Sequence, residues 1–204
     1  MTTARDLTIK TLGEGRFDSP LGPGKRDFVS DDRRILLEDE VGIGAAGPGD
    51  LSLEKAGPRE RIFFDPQSTT VAVVTCGGLS PGLNNVIRSV YYELIHNYGV
   101  QRVLGIREGY RGLNPAEGSP PVELDAAFVH DIHNLGGTVL GSSRGGQPAA
   151  VMVDFLESEG IDILLCVGGD GTQRGAHGIV QEIEKRGLDK AVIGIPKTID
   201  NDIP

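Results

Sequence analysis

This sequence predicts an α/β fold, a parallel β-sheet flanked by helices, for residues from about 70 onward. Short apolar runs alternate there with segments whose apolar residues recur at helical spacing. Glycine-rich stretches follow several of these runs directly, as expected where a buried strand turns sharply into a helix. Strands that alternate with helices in this way form parallel sheets with right-handed crossovers.

Each element is predicted from its apolar residues. The first strand, 71–75, is a run of valine, alanine and threonine. The helix after it has apolar residues at helical spacing from 83 to 98, and Gly99 ends it. Further apolar runs predict the other strands, at 102–106, 138–140, 163–167 and 191–195. The same helical spacing predicts the other helices, at about 125–134, 149–158 and 173–186.

Residues 1–66 are predicted to form an irregular N-terminal extension rather than an independent domain, and the α/β unit is predicted to cover 67–204. Glycines, prolines and charged residues interrupt the extension repeatedly, so it offers little material for a core. Short apolar pieces at 35–37 and 62–64 could still dock as edge strands.

The composition excludes several classes of partner. The chain has 204 residues, of which 38% are hydrophobic, and 29 acidic against 20 basic residues give a net charge of −9. This charge argues against nucleic acid or an anionic membrane as a partner. There is no apolar run of membrane-spanning length and no apolar signal-peptide core, so a cytoplasmic location is expected. The two cysteines, Cys76 and Cys166, end apolar strands and are interpreted as reduced core thiols.

Four loops carry the candidate chemistry, and each follows a predicted strand. Because the carboxyl ends of parallel strands share one edge of a sheet, these loops are expected to meet there. The four loops are residues 77–84, 141–146, 168–172 and 196–202.

The first three loops have features of a phosphate and magnesium site. Gly77 and its neighbours could bring an anion to backbone N–H groups at a helix start, or could form only a tight turn. Arg144, among small residues, could hold a phosphoryl oxygen with paired N–H donors, or could be a surface charge. Asp170 stands between glycines as a candidate Mg²⁺ ligand, and Thr172 is expected to begin the next helix as its N-cap.

The fourth loop is the strongest candidate for catalysis. Residues 196–204 read Pro-Lys-Thr-Ile-Asp-Asn-Asp-Ile-Pro and follow the buried strand predicted at 191–195. The carboxylates of Asp200 and Asp202 and the hydroxyl of Thr198 therefore stand where open α/β sheets place their catalytic groups. This arrangement is expected of the front half of a catalytic unit that ends just after its base.

Five motifs, in their order, resemble the 6-phosphofructokinase family. They read Gly-Gly-Leu-Ser-Pro-Gly-Leu-Asn, Gly-Tyr-Arg-Gly-Leu, Gly-Ser-Ser-Arg, Gly-Gly-Asp-Gly-Thr and Pro-Lys-Thr-Ile-Asp-Asn-Asp. Gly-Gly-Asp-Gly-Thr alone also occurs in NAD kinases and diacylglycerol-type lipid kinases, but Thr198, Asp200 and Asp202 argue against an NAD kinase. The resemblance covers residues 70–204 and is greatest to the long plant-type branch. It implies a Rossmann-like sheet, the N-terminal half of the family's fold.

The resemblance implies a reaction and a set of roles. The family transfers the terminal phosphoryl group of ATP or pyrophosphate to the 1-hydroxyl of fructose 6-phosphate, with Mg²⁺. By position, Asp200 would be the general base, with Arg144 and Thr198 also catalytic. The residues implied to contact the nucleotide are Gly77, Tyr110, Arg144, Gly169, Asp170, Gly171 and Thr172, with Asp170 also next to the metal. The residues implied to bind substrate are Lys197, Thr198, Asp200 and Asp202.

Gly171 and Lys197 bear on the identity of the phosphoryl donor. Pyrophosphate users resemble one another in having an aspartate where this chain has Gly171, and a carboxylate there would repel the α-phosphate of a nucleotide. Lys197 points the other way, since many ATP users have glycine at its position, although plant-type ATP users pair a glycine with this lysine. The resemblance therefore favours ATP and leaves a pyrophosphate-dependent enzyme as an alternative.

The family's second half has no counterpart among these 204 residues. In the family, a second and similar α/β half follows the Thr-Ile-Asp-Asn-Asp loop and supplies residues for the sugar phosphate. The chain is therefore expected to be a fragment that is inactive alone, with a noncatalytic nucleotide-binding chain as the other alternative. The full-length form is expected to be a homo-oligomer.

Overall fold

The computed structural model describes residues 9–22, 28–36 and 52–201. The chain divides into two compact units, Met1–Asp65 and Pro66–Pro204. The interpretation of the first unit as an extension, and of the second as half of a larger domain, stays a prediction.

The first unit contains four short strands in two antiparallel pairs. They are β1 (Phe17–Asp18), β2 (Arg34–Leu36), β3 (Ser52–Glu54) and β4 (Arg61–Ile62). β1 pairs with β4, and β2 pairs with β3. Of the apolar pieces expected as edge strands, 35–36 lies in β2 and Ile62 lies in β4, so both pair within this unit; Leu37 lies outside the described residues.

The second unit is built on a five-stranded sheet. Its strands are β5 (Thr70–Thr75), β6 (Arg102–Ile106), β7 (Val122–Glu123), β8 (Ile163–Gly168) and β9 (Ala191–Pro196). The strand order is β7-β6-β5-β8-β9, and every neighbouring pair is parallel except β6 with β7. The predicted α/β class and the four long strands are confirmed, whereas the antiparallel edge strand β7 was not predicted.

Four α-helices accompany this sheet. They are α1 (Leu83–Tyr92), α2 (Ala126–Val129), α3 (Ala149–Ser158) and α4 (Asp170–Arg186). α1 continues as a π-helical segment, Glu93–Tyr98, and ends at Gly99, whose φ of 73° is the left-handed geometry that favours glycine. The helix predicted at 125–134 is in fact two short pieces, α2 and a 3₁₀ turn at Ile132–Asn134.

The central strand β5 has helices on both of its faces. Val71 and Val73 belong to one apolar cluster with Ile87 of α1, and Ala72 belongs to the other with Ile179 of α4. This division follows from the alternation of side chains across a strand. Every residue of β5 is buried, so this strand lies at the centre of the core. The loops described below follow the carboxyl ends of the sheet's parallel strands.

The strand predicted at 138–140 is wrong, because these residues form a turn. Gly141 N donates to Thr138 O at 3.1 Å, and Val139 N donates to the side chain of Asn84 at 2.8 Å rather than to a strand. The buried hydroxyl of Thr75 reaches Thr138 Oγ1 and Gly141 O, both at 2.9 Å. Side chains therefore provide the hydrogen bonds that the backbone of this segment would otherwise make in a β-ladder. The edge position beside β6 is taken by β7 instead.

Candidate active site

A cavity of about 370 Å³ lies where β5, β8 and β9 end. Gly77 enters it from the loop after β5, Lys197 from the loop after β9, and residues 169–172 from the end of β8 and the first turn of α4. Tyr110 enters from the 3₁₀ turn after β6, and Arg144 from the segment before α3. The volume is within the usual range for small-molecule sites, and the loops meet as the parallel sheet predicted.

All seven residues predicted to bind nucleotide or metal line this cavity. They are Gly77, Tyr110, Arg144, Gly169, Asp170, Gly171 and Thr172, and Lys197 joins them. Thr198 instead borders a neighbouring groove that also includes Lys197. Asp200 is exposed and is not among the lining residues of either space, and Asp202 lies outside the described residues. The functional roles of all these residues stay predictions.

The fourth loop nevertheless lies against the first. A Cβ placed on Gly78 would stand 2.8 Å from Ile199 Cδ1, so the two loops touch at these residues. Asp200 follows Ile199 directly and is exposed to solvent.

The first and second loops are joined by two hydrogen bonds. Gly77 N donates to Ser143 O at 3.1 Å, and Ser142 Oγ donates to Gly77 O at 2.6 Å. Gly77 has a φ of +77° and open space where a Cβ would lie. Because its N–H is already engaged, this glycine offers a ligand room rather than a hydrogen-bond donor.

The prediction that Thr172 caps the next helix is wrong. α4 begins at Asp170, and Gly169 is its N-cap, with a carbonyl that accepts from Thr172 N at 2.8 Å and Gln173 N at 3.0 Å. The buried Thr172 side chain covers Gly168, where any Cβ would collide with it. The role of Thr172 is therefore to pack its buried side chain over Gly168 in the first turn, rather than to cap the helix. Asp170 stays exposed at the positive end of the helix dipole.

Tyr110 packs against the first turns of α4. Its ring lies against Gly175, where a side chain would collide with it, and its hydroxyl donates to Thr172 O at 2.6 Å. Tyr110 is 3% exposed, and burial raises the pKa of its hydroxyl, so the group stays protonated. Its polar atom is thus engaged within the protein, although the ring contributes to the cavity wall.

The charges around the cavity favour an anion accompanied by a cation. Arg144 and Lys197 are the cationic lining residues, and Asp170 is the single carboxylate among the described lining residues. Within the described ranges no three His, Cys, Asp or Glu side chains gather as a metal cluster. One carboxylate is nonetheless a suitable donor set for Mg²⁺, which keeps waters and takes its other ligands from substrate phosphates.

The two cysteines are buried at the base of this site. Cys76 lines the cavity at 5% exposure and Cys166 is fully buried, and no disulfide joins them. Burial raises the pKa of each thiol to about 12, and for Cys76 the nearby Cys166 adds to the shift. The interpretation as reduced core thiols agrees with these environments.

Alkaline pH is expected to destabilise the fold through these thiols. Their pKa is 9.0 in the unfolded chain and about 12 when folded, so between these values the unfolded state releases protons that the folded state keeps. The free energy of unfolding therefore falls as pH rises through this window, by about 1 kcal/mol for each thiol at pH 10. Urea unfolding between pH 7.5 and 10.5 measures the slope. Cys166→Ala should make it shallower, and an unchanged slope would contradict the assignment.

Several lining residues were missed by sequence reasoning, among them Gln147, Met152 and Gly175. Gln147 lies three residues after Arg144 and just before α3. Its closeness in sequence to a residue predicted to bind phosphate could have indicated that it lines the site. Met152 and Gly175 lie inside helices, where helical spacing alone does not distinguish a cavity wall from a core contact.

The fold and this loop arrangement define an α/β unit whose loops gather at the carboxyl ends of a mostly parallel sheet. The family profile described as Phosphofructokinase matches residues 70–204, and the chain belongs to this family. An ATP-dependent 6-phosphofructokinase of Amycolatopsis methanolica is 50% identical over 98% of the chain and 45% of that protein. ATP-dependent 6-phosphofructokinase 7 of Arabidopsis thaliana is 46% identical over 88% of the chain and 36% of that protein. The chain thus spans less than half the length of these curated relatives.

Solved structures agree on the fold. Pichia pastoris phosphofructokinase in the T-state matches 75% of the chain and 18% of its own length, with a TM-score of 0.59 and 26% identity. A pyrophosphate-dependent phosphofructokinase from Marinobacter aquaeolei matches 67% of the chain and 35% of its own, with a TM-score of 0.58 and 21% identity. Across the described ranges, none of the helices is long and apolar enough to cross a membrane.

Proposed function

We propose that this chain is the nucleotide-binding part of an ATP-dependent 6-phosphofructokinase, which transfers the terminal phosphoryl group of ATP to the 1-hydroxyl of fructose 6-phosphate. The observation that carries the proposal is the single cavity where Arg144, Lys197 and residues 169–172 meet at the strand ends. The names of the relatives in Amycolatopsis and Arabidopsis support ATP as the donor. A cytoplasmic location and a homo-oligomeric full-length form belong to the same proposal.

Positioning and charge neutralisation would be the contribution of the cavity residues. Phosphoryl transfer needs little covalent help from the protein, so rate enhancement comes mainly from alignment and from stabilisation of phosphoryl charge. Arg144 can present paired N–H donors to phosphoryl oxygens, and Lys197 adds a point charge. Gly169 and Gly171 leave room for the phosphates beside the first turn of α4, whose dipole favours negative charge.

Asp170 would hold Mg²⁺ from its exposed place in that turn. When bound there, Mg²⁺ would supply positive charge that offsets the charge of the transferred phosphoryl group. The other cavity residues would not be needed as ligands, because Mg²⁺ retains several waters.

Asp200 would act as the general base from the rim of the cavity. It would accept the proton of the sugar 1-hydroxyl as that oxygen bonds to the γ-phosphorus of ATP and the bond from this phosphorus to the departing ADP breaks. Thr198 and Asp202 would position the sugar and the transferred group. The exposure of Asp200 suits this role, because its carboxylate is open to an acceptor that approaches from solvent. A positioned base typically contributes ~10²–10⁴-fold to the rate.

Activity tests of this proposal require an extended protein, in which residues 1–204 are followed by the remainder of a polypeptide of the relatives' length. Gly171→Asp in the extended protein should lower kcat/KM for ATP by at least ~10²-fold and affect pyrophosphate much less. A Cβ at Gly171 would meet nothing within 4 Å, so the aspartate fits and acts through its charge. Two like charges about 4 Å apart repel by ~4 kcal/mol at an effective dielectric constant near 20.

Gly171→Asn is the matched control for this test, because it has the same size without the charge. Steady-state rates with each donor decide the outcome, with the inhibition constant of pyrophosphate where it is not turned over. Equal losses for ATP and pyrophosphate, or an equal effect of Asn and Asp, would contradict the donor assignment.

A further inference from the structure

One side chain in the cavity wall is held by hydrogen bonds at both ends of its carboxamide. Gln147 Oε1 accepts from Asn114 Nδ2 at 2.7 Å, and Gln147 Nε2 donates to Glu117 Oε2 at 2.9 Å. Gln147 also lines the cavity, three residues after Arg144 and two residues before α3 begins. None of the roles proposed above uses this side chain.

The orientation of the Gln147 carboxamide is fixed because one of its partners presents a hydrogen-bond donor and the other presents an acceptor. Asn114 is 9% exposed, and its Oδ1 is turned toward Ala116 N, from which it accepts at 3.1 Å, so its NH₂ group is the part that faces Gln147. Glu117 offers an acceptor and no donor when ionised. Gln147 must therefore present its oxygen to Asn114 and its nitrogen to Glu117.

The turn that carries these partners is itself rigid. Arg111 Nε donates to Glu117 O at 2.9 Å, and Gly118 N donates to Asn114 O at 2.9 Å. Gly118 packs so closely on Arg111 O that no side chain would fit there. A surface glutamine ordinarily samples many rotamers, whereas this one is held in place from outside the cavity.

One N–H and one oxygen lone pair of Gln147 are left unused by these two bonds. The charged groups Arg144, Asp170 and Lys197 are the phosphate-binding candidates, whereas the buried Met152 and Tyr110 give the cavity an apolar wall. Gln147 lies two residues before the helix that carries Met152. A donor and acceptor pair beside an apolar wall matches a nucleoside, which has flat faces and a polar edge, rather than a bare phosphate.

We infer that Gln147 is a specificity-determining residue that hydrogen-bonds the nucleoside part of the phosphoryl donor, with Asn114 and Glu117 as its positioning residues. This inference rests on the proposed function, because it takes the phosphates to lie at Arg144 and residues 169–172. It names the feature by which the site distinguishes a nucleoside triphosphate from an inorganic polyphosphate.

The test compares the binding of Mg·ATP and Mg·tripolyphosphate to the extended protein by calorimetry. Gln147→Leu should weaken Mg·ATP about 5–10-fold, as the loss of one or two hydrogen bonds does, and change Mg·tripolyphosphate less than about 2-fold. Gln101→Leu is the matched control, because Gln101 is an exposed glutamine just before β6 whose hydrogen bonds within the described residues go to Gly99 O and Gln67. Gln147→Met, an unbranched replacement, serves where the leucine variant has a lower Tm.

The outcomes separate this inference from the proposed function. Equal weakening of both ligands, or no weakening of either, overturns the role of Gln147 while the phosphate site stands. A wild-type extended protein that binds tripolyphosphate as tightly as ATP also overturns it alone. A wild-type extended protein that binds neither ligand overturns the proposed function and this inference together. 2′-Deoxy-ATP shows whether Gln147 contacts the ribose 2′-hydroxyl or another part of the nucleoside. If the 2′-hydroxyl is the partner, Gln147→Leu should not weaken the binding of 2′-deoxy-ATP.

Discussion

Replacing Asp200 by serine in the extended protein is expected to lower kcat by at least ~10²-fold, with a smaller change in the KM for ATP. Serine keeps a small polar group at the rim but cannot accept the sugar proton at neutral pH. A general base acts only as the transition state forms, so its loss appears in kcat rather than in nucleotide binding. A coupled assay for fructose 1,6-bisphosphate, with ATP varied at saturating sugar phosphate, gives both constants.

Asp189→Ser is the matched control for this variant. Asp189 is exposed and precedes the amino end of β9, whereas Asp200 follows the carboxyl end of the same strand. The two changes thus remove the same group from opposite edges of the sheet, and only the second edge carries the cavity. Full turnover by the Asp200→Ser protein would remove the general-base role, and an equal loss in both variants would indicate a structural effect.

The parallel core was predictable because its strands are strongly patterned. β5 and β8 are short apolar runs followed at once by glycines, and such runs have little alternative to burial. Once these strands are parallel, their carboxyl ends must share an edge, so the meeting of Gly77 and Asp170 also follows from the sequence. Arg144 reaches the same cavity although the strand predicted before it is a turn.

The wrong predictions fall where side chains, rather than backbone patterns, decide the local structure. Residues 138–140 are apolar enough for a strand, but the buried side chains of Thr75 and Asn84 supply the hydrogen bonds that a neighbouring strand would otherwise give. β7 is only two residues long, and a pattern of period two cannot be recognised over that length.

Tertiary partners also decided what individual residues do. Thr172 has the chemistry of a helix cap, but close packing over Gly168 assigns it to the interior of the first turn. The orientation of Gln147 depends on Asn114, which is 33 residues away in the chain. Spacing along a sequence does not report such pairs, so the polar edge of the cavity required the structure.

Asp170→Asn in the extended protein is expected to abolish turnover or to raise the Mg²⁺ concentration needed for half-maximal rate by at least about 10-fold. Asparagine keeps the shape of the side chain but loses the charge that favours the cation. It is also well tolerated at an exposed position in a helix's first turn, so the fold should survive. Rates measured over a range of Mg²⁺ at fixed ATP, with a thermal melt of each protein, give the two readouts.

The expectation for Asp170 depends on its being the single carboxylate among the described lining residues, because no neighbouring acid in that lining could take its place. Asp189→Asn makes the same chemical change away from the cavity and should leave the Mg²⁺ dependence unaltered. An unchanged Mg²⁺ dependence in the Asp170→Asn protein would mean that the metal is held by the donor phosphates alone. A loss of activity accompanied by a large fall in Tm would instead place Asp170 among the residues that stabilise the start of α4.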